Sequence, residues 1–430
     1  MNLGKLKPWI VSLSKNSLAK NTLWMLLAQG MRLVLQAAYF VIIARALGAE
    51  QYGAFVSATA LVAILAPFAS LGGGNLLIKN VSRNRGLFSE YWGNALFMIF
   101  VSGLVLIILV LCVAPFFLPK TIPILLILLV SITDLIFTRL LDTAGQAFQA
   151  VFWLSKTAQL NILPQVTRLI AALALVNLFP NPGALEWSSL YLISTAISAV
   201  LGVLLVHCLL GSPKLAISRI KPEITEGFYF SVSLSAQTIY NDIDKTMLAG
   251  LSSLEATGIY AAAYRLIDVA FVPVKSLLAA AYTKFFQRGS AGIGGTIDFS
   301  KRLSPIAGIY GLTAGIGLFF LAPVIPNLLG DEYAGAVEAL RWLAPLPLLK
   351  AMHYFAADTL TGAGFQGVRS AVQVIVAVFN TLINLWLIPL YSWRGAAWSS
   401  LASDTFLMLC LWTMVAFLYR QQAQRLKENQ

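Results

Sequence analysis

Fixed charges recur where a chain crossing hydrocarbon should carry none. Arg32, Arg139, Arg168, Lys245, Arg265, Lys275, Arg341 and Lys350 all lie inside long apolar stretches, together with Asp134, Asp142, Asp242, Asp244, Asp268, Asp358 and Asp404. A charge at the bilayer centre costs at least about 2.5–3.5 kcal/mol on insertion scales. So many ionised groups cannot face lipid; they must pair across helix contacts or line a polar cavity. Cations gathered around such a cavity would suit an anionic ligand.

Helical spacing favours the cavity. Gln29, Arg32 and Gln36 recur at i, i+3, i+7, and Asn161, Gln165 and Arg168 at i, i+4, i+7. Asp134, Thr138, Asp142, Gln146 and Gln149 share a stripe, and Gln237, Asn241 and Asp244 run beside Thr238, Asp242 and Lys245 as a broad polar face. Each such helix is apolar on one side and hydrophilic on the other. Arg32 and Arg168 have no carboxylate within a turn, which favours a ligand role. Arg265 with Asp268, and Arg139 with Asp142, are spaced to neutralise each other instead. Arg341 lies near a helix end and can snorkel, while Lys350 shares a stripe with Tyr354 and Asp358. His207 and His353 have no metal-like companion and read as packing residues. Cys112, Cys208 and Cys410 stand alone in apolar runs and read as small buried hydrophobes.

The elements that must position these groups follow from composition. Of 430 residues, 58% are hydrophobic and only 11% charged, and the mean hydropathy is +0.78. A soluble protein carries roughly 25% charged residues, so the chain is an integral membrane protein. Twelve apolar segments of about 20 residues are expected, near 21–46, 52–71, 91–118, 122–147, 156–179, 185–210, 226–250, 256–284, 303–329, 334–360, 368–390 and 395–419. The fold class is all-α: a polytopic bundle of twelve transmembrane helices in two six-helix lobes. The expected divisions are an N-terminal segment 1–20, lobes 21–210 and 226–420, a linker 211–225 and a tail 421–430.

Outside these spans, one side of the membrane holds only Arg45, Lys120 and Arg394, and every other Lys and Arg falls on the opposite side. The positive-inside rule then places both termini in the cytoplasm, in agreement with an even number of spans. The net charge of +12 forms no basic block with interleaved aromatics, which argues against nucleic acid as a partner. No P-loop, HExxH or GxSxG sequence occurs, and the longest hydrophilic connection, 285–302, has no room for a catalytic domain. A transporter fits better than an enzyme.

The chain repeats itself weakly. Glu50-Gln51-Tyr52-Gly53-Ala54-Phe55 follows the first span and Glu255-Ala256-Thr257-Gly258-Ile259-Tyr260 the seventh, with Pro67 and Pro273 at nearly the same offset beyond. Two halves of like orientation imply a pseudo-two-fold axis along the membrane normal. Gly72-Gly73-Gly74 ends the second span, as a loosened gate or an ordinary turn.

At Ala44-Arg45-Ala46-Leu47-Gly48, followed by Tyr52-Gly53-Ala54-Phe55, the sequence resembles the polysaccharide biosynthesis (Wzx-type flippase) branch of the multidrug/oligosaccharidyl-lipid/polysaccharide (MOP) exporter superfamily. Asp242-Ile243-Asp244-Lys245, Gly258 through Leu266, and Asn384 through Pro389 with Gly395-Ala396-Ala397 extend the resemblance over nearly the whole chain. It implies a V-shaped, two-lobed transporter in the bacterial inner membrane. The implied cargo is a polyprenyl-diphosphate-linked oligosaccharide, the repeat unit of an O-antigen, capsule or exopolysaccharide, moved by alternating access. Membrane lipids, a glycan polymerase and a chain-length regulator are the implied partners.

On that resemblance, Arg32, Arg168, Lys245, Lys275, Arg265 and Lys350 are substrate-binding candidates, with Gln29, Gln36, Asn161, Gln165 and Asp134. The cations would replace hydration around the diphosphate and the amides would bond sugars. No cofactor is expected beyond a coupling ion, Na+ or H+. Asp242, Asp244, Asn380, Asn384 and Asp404 on the seventh, eleventh and twelfth helices are its candidates. Asn380 and Asn384 are one turn apart, which suits a small cation held by hard oxygen ligands. The competing readings are a drug or small-molecule antiporter of the same fold, a glycan polymerase or ligase, and a peptidoglycan-precursor flippase. Cations at least as numerous as acids argue against the first. Short outer loops argue against the second, and the third commonly has two further helices.

Overall fold

The computed structural model describes residues 17–82, 84–216, 231, 235, 237–290 and 292–428, with side chains at all of these except 17–29, 283, 423 and 425–428. Residues 1–16 of the expected N-terminal segment, 217–225 of the linker and 429–430 of the tail therefore lie outside the described residues, as does the side chain of Gln29. The described residues contain helices and no strand. They fall into two compact units: one within Met1–Leu47, Leu61–Pro115 and Lys120–Ser235, the other within Gly48–Ala60, Phe116–Pro119 and Ala236–Gln430.

In chain order the helices are α1 (Ser17–Leu65), α2 (Gly73–Val81), α3 (Phe88–Phe117), α4 (Ile124–Ile132), α5 (Thr138–Ala150), α6 (Leu154–Leu178) and α7 (Ala184–Leu210). There follow α8 (237–251), α9 (Leu254–Gly289), α10 (Ile293–Leu321), α11 (Ala334–Leu343), α12 (Leu346–Gly362), α13 (Gln366–Tyr391) and α14 (Trp393–Glu428). A π-helical turn, Thr133–Phe137, joins α4 to α5.

Eight helical stretches among the described residues are long and apolar enough to cross a membrane, which makes this a multi-pass membrane protein. The expectation of twelve differs from this count for physical reasons. The first two expected spans run through one stretch, Gly30–Val81, because α1 continues past a kink at Gly48, where φ is 70°. Of the expected seventh span, 226–230, 232–234 and 236 lie outside the described residues, and the helix described, 237–251, is short. The expected tenth span breaks at Ala344–Pro345 into two short helices, and the eighth is one long helix whose hydropathy Arg265 and Asp268 lower.

The packing is inside-out relative to a soluble protein. α7 exposes Ile193, Ile197, Val200, Leu201 and Leu204 and buries Ser188, Ser194, Thr195, Ser198 and Gly202. Lipid offers apolar side chains as good an environment as a core does, so helices associate through small and hydroxylated residues that pack closely and bond. Thr167 and Ser198 join α6 to α7 in this way, their hydroxyls 2.8 Å apart. Cys112 and Cys208 are exposed on this apolar surface, a correction to their expected burial that follows from the same logic.

In the second unit the chain beyond Gly48 is tied down by Glu332, whose Oε2 accepts the amide of Ala49 at 3.0 Å. Ser253 caps α9, its hydroxyl accepting from Ala256 N at 3.0 Å. The two similar hexapeptides meet here. A Cβ on Gly53 would collide with the carbonyl oxygen of Leu254, and one on Gly258 with that of Ala49. Each glycine thus faces the carbonyl four residues before the other, and backbone packs directly on backbone. Gly258→Ala should therefore lower Tm in detergent by the equivalent of about 1–3 kcal/mol, the usual cost of overpacking. Gly317→Ala, with nothing within 4 Å of the new Cβ, should leave Tm unchanged.

Candidate functional site

Each unit contains a polar cluster of its own. In the first, Arg168 projects from α6, and its guanidinium carbon lies 4.6 Å from the centre of the Tyr191 ring on α7. It donates to Thr195 Oγ1 at 3.4 Å and bonds Tyr39 of α1. Tyr191 donates to Asp134 Oδ1 at 2.8 Å, and Thr138 donates to the same oxygen at 3.3 Å. The phenol therefore stands between guanidinium and carboxylate. Among the described residues Arg168 has no carboxylate within 4 Å, and its buried Nε–H has no acceptor. Pro164 inside α6 has no amide hydrogen for the preceding turn, so the backbone is loosened one turn before Arg168.

Arg32 and Gln36 are half-buried and form no hydrogen bond or ion pair with another described residue. They precede Tyr39 by two turns and one turn on the same helical face, which directs that face toward Arg168. Gln165 is buried with its Oε1 unpartnered, whereas Asn161 is exposed. Arg139 and Asp142 pair at 3.3 Å, as their spacing predicts.

In the second unit the polar face of α8 packs toward α9, α12 and α14. Lys245 Nζ donates to Asp242 Oδ1 at 2.6 Å and to the carbonyl of Asn241 at 3.1 Å, with Asp244 Oδ1 at 3.9 Å. Asp244 accepts from Tyr260, from Ser400 at 3.2 Å and from its neighbour's backbone amide at 2.8 Å. Lys350 donates to Tyr264 Oη at 2.6 Å and to Asn241 Oδ1 at 3.4 Å. It has no carboxylate within 4 Å among the described residues. His353, buried and stacked on Tyr354, has its Nε2 2.9 Å from Asp404 Oδ1, a carboxylate neighbour that the sequence did not reveal. Asn384 donates to Asn380 Oδ1, and Asn380 to Ser403, both at 3.0 Å. Asn384 Oδ1 is buried without a partner.

The remaining cations are accounted for locally. Lys275 is half-exposed and lies 3.9 Å from Asp268, and Arg265 is also engaged by its neighbours. Arg369 holds Asp358 at 3.5 Å and Thr361 at 2.9 Å. The structure therefore sorts the candidates. Lys245, Lys275 and Arg139 have carboxylate partners, Arg168 and Lys350 have polar partners and no ion pair, and Arg32 has neither among the described residues. Sequence reasoning overlooked Tyr39, Tyr191, Tyr260, Tyr264 and Ser400, all of which join the clusters through contacts between helices. Only the i, i+4 spacings of Tyr260 with Tyr264 and of Ser400 with Asp404 left a sign.

Comparison with known proteins adds to this geometry. The profile of the family described as polysaccharide biosynthesis protein matches residues 18–283, more than half of the chain. The chain belongs to that family. No curated protein matches it. Among solved structures, an inward-facing multidrug resistance MATE family transporter of the MOP superfamily is similar with a TM-score of 0.73 at 12% identity, covering 92% of this chain and 99% of that one. The lipid II flippase MurJ in an inward closed conformation is similar with a TM-score of 0.74 at 12% identity, covering 91% and 87%. The MATE multidrug transporter DinF-BH gives 0.63 at 16%, covering 93% and 94%. At such identities the likeness establishes the fold, which this family member shares with MOP transporters.

The Lys245–Asp242 pair yields a stability test. Removing one partner of a buried pair costs about 3–5 kcal/mol because it strands the other charge; with Asp242 37% exposed, less is expected here. Lys245→Met should lower Tm in detergent, and Lys245→Met combined with Asp242→Asn should recover part of the loss. Additive losses in that double-mutant cycle would show that the two side chains are uncoupled.

Proposed function

We propose that this protein is a non-enzymatic flippase that moves a polyprenyl-diphosphate-linked oligosaccharide across the bacterial inner membrane by alternating access, with both termini in the cytoplasm. The family match over residues 18–283 carries the reading. The chemistry supports it. An anionic diphosphate crosses hydrocarbon only where fixed cations replace its hydration, and Arg168, Arg32 and Lys350 are the candidates not already held by a carboxylate. Arg168 retains an unsatisfied Nε–H, so a phosphate oxygen would gain a charge-assisted bond without breaking an ion pair.

Coupling to Na+ or H+ belongs to the same proposal. In the second unit, the orphaned Asn384 Oδ1 beside Asn380 offers a hard oxygen to a small cation, and the adjoining His353–Asp404 pair offers a proton site. Asp242 and Asp244 are engaged by Lys245 and by hydroxyls, and support this cluster from α8. A drug-exporter reading would call for unpaired acids to attract cationic drugs. Asp242, Asp244, Asp358 and Asp404 each have a cationic or imidazole neighbour, which favours the anionic cargo.

In a flippase-deficient strain, the wild-type gene should restore surface glycan. Arg168→Gln should reduce the initial rate of translocation by about 10–100-fold, the loss of one charged hydrogen bond of about 1.5–3 kcal/mol, with unchanged protein levels in the membrane. Full activity would remove Arg168 from the site. Asp404→Asn should flatten the dependence of the rate on an imposed ion gradient; an unchanged dependence on both sodium and pH would make that carboxylate structural.

A further inference from the structure

The first unit holds a cavity of about 320 Å³ between the Ser70–Asn75 turn, α5 and α6. Its size lies at the low end of the roughly 300–1,000 Å³ typical of small-ligand pockets. The carboxamides of Asn75, Gln146, Gln149 and Asn161 line it, and none of them bonds another described side chain. Arg139 and Asp142 line it as well, and they pair with each other at 3.3 Å. The lining thus offers many donors and acceptors and no net charge.

That balance selects a class of ligand. A phosphate would need a surplus of cations and an organic cation a surplus of acids, and the Arg139–Asp142 pair supplies neither. A neutral polyhydroxyl ring, each of whose hydroxyls both donates and accepts, matches carboxamides and a closed ion pair.

The cavity is also built. Thr157 donates to the carbonyl of Gly145 at 3.0 Å, pinning α6 to α5 beneath it. The carboxamide of Gln146 occupies the place where a side chain on residue 74 would begin, so Gly74 at that position lets the amide reach the cavity. Along α6, Asn161 leads to the unpartnered Gln165 Oε1 and then to Arg168. At 1.5 Å of rise per residue, Asn161 and Arg168 lie about 10 Å apart along the axis.

We propose that this cavity is a subsite for a neutral sugar residue of the cargo, held by Gln146, Gln149 and Asn161 and separate from the cations proposed for the diphosphate. The subsite rests on the transport reading above.

Two measurements test it in the full-length protein. With a photo-crosslinking benzoylphenylalanine at the exposed position 149, irradiation of cells making their own lipid-linked glycan should give a sugar-bearing adduct by mass spectrometry; the same group at Ile197, on the apolar outer face, should give none. In proteoliposomes, Gln146→Leu and Asn161→Leu should each slow translocation of that lipid-linked glycan about tenfold. Inhibition by sugar-free polyprenyl diphosphate should be unchanged in both. Wild-type transport with full-rate variants and no sugar-bearing adduct overturns the subsite alone. A wild-type protein that moves no lipid-linked glycan overturns the transport reading, and the subsite with it. Variants that lose inhibition by polyprenyl diphosphate as well would assign the cavity to the diphosphate and overturn the sugar assignment.

Discussion

The cost of an unsolvated charge in hydrocarbon governs the arrangement of this protein. Lipid contributes nothing to a guanidinium or a carboxylate, so each such group must find its solvation within the chain. The chain meets that demand in two ways, by pairing a cation with a carboxylate and by surrounding it with phenols and hydroxyls. In the second unit Lys245 lies between two aspartates and Arg369 holds Asp358, while Lys350 is held by the Tyr264 phenol and Asn241 without a carboxylate. The first unit gives Arg168 two phenols and a hydroxyl, with Asp134 reached only through Tyr191. Aromatic faces and hydroxyls solvate a cation without neutralising it. The charge therefore keeps its capacity for an anion, and this separates Arg168 from the paired lysines as a ligand.

The same constraint explains the character of the helix contacts. Apolar side chains gain little by leaving lipid, so close association depends on short side chains and on backbone brought together. The seams are accordingly rich in serine, threonine and glycine, as between α6 and α7 and where Gly53 and Gly258 meet neighbouring carbonyls. The large apolar residues face outward.

Much of this was legible in the sequence. Hydropathy and charge identified a helical membrane protein, and the 3.6-residue spacing of Gln36 with Arg32, and of Asn161, Gln165 and Arg168, identified polar faces that the structure retains. The kink at Gly48 falls between two expected spans. What escaped was contact between helices. Neither Tyr191 nor Tyr264 has a neighbour in sequence that reveals the cation beside it, and His353 reads as solitary because Asp404 lies some fifty residues away. The count of spans also differed: the first two run together as one stretch, the tenth is broken at Ala344–Pro345, and the eighth carries Arg265 and Asp268, which make its composition less like a membrane crossing. A charge that serves a site weakens the very hydropathy signal by which its helix is recognised.

The π-helical turn at 133–137 has a geometric consequence. A turn of this kind contains one residue more than an α-helical turn, and each residue of an α-helix advances the azimuth by about 100°. Everything after Phe137 is therefore phased about one residue away from where an unbroken helix would put it. Gln146, twelve residues after Asp134, would stand about 120° from it on an unbroken helix, and the surplus residue brings it to within about 20°. That one residue therefore draws the carboxylate bonded to Tyr191 and the carboxamide bordering the cavity toward a common edge of the segment.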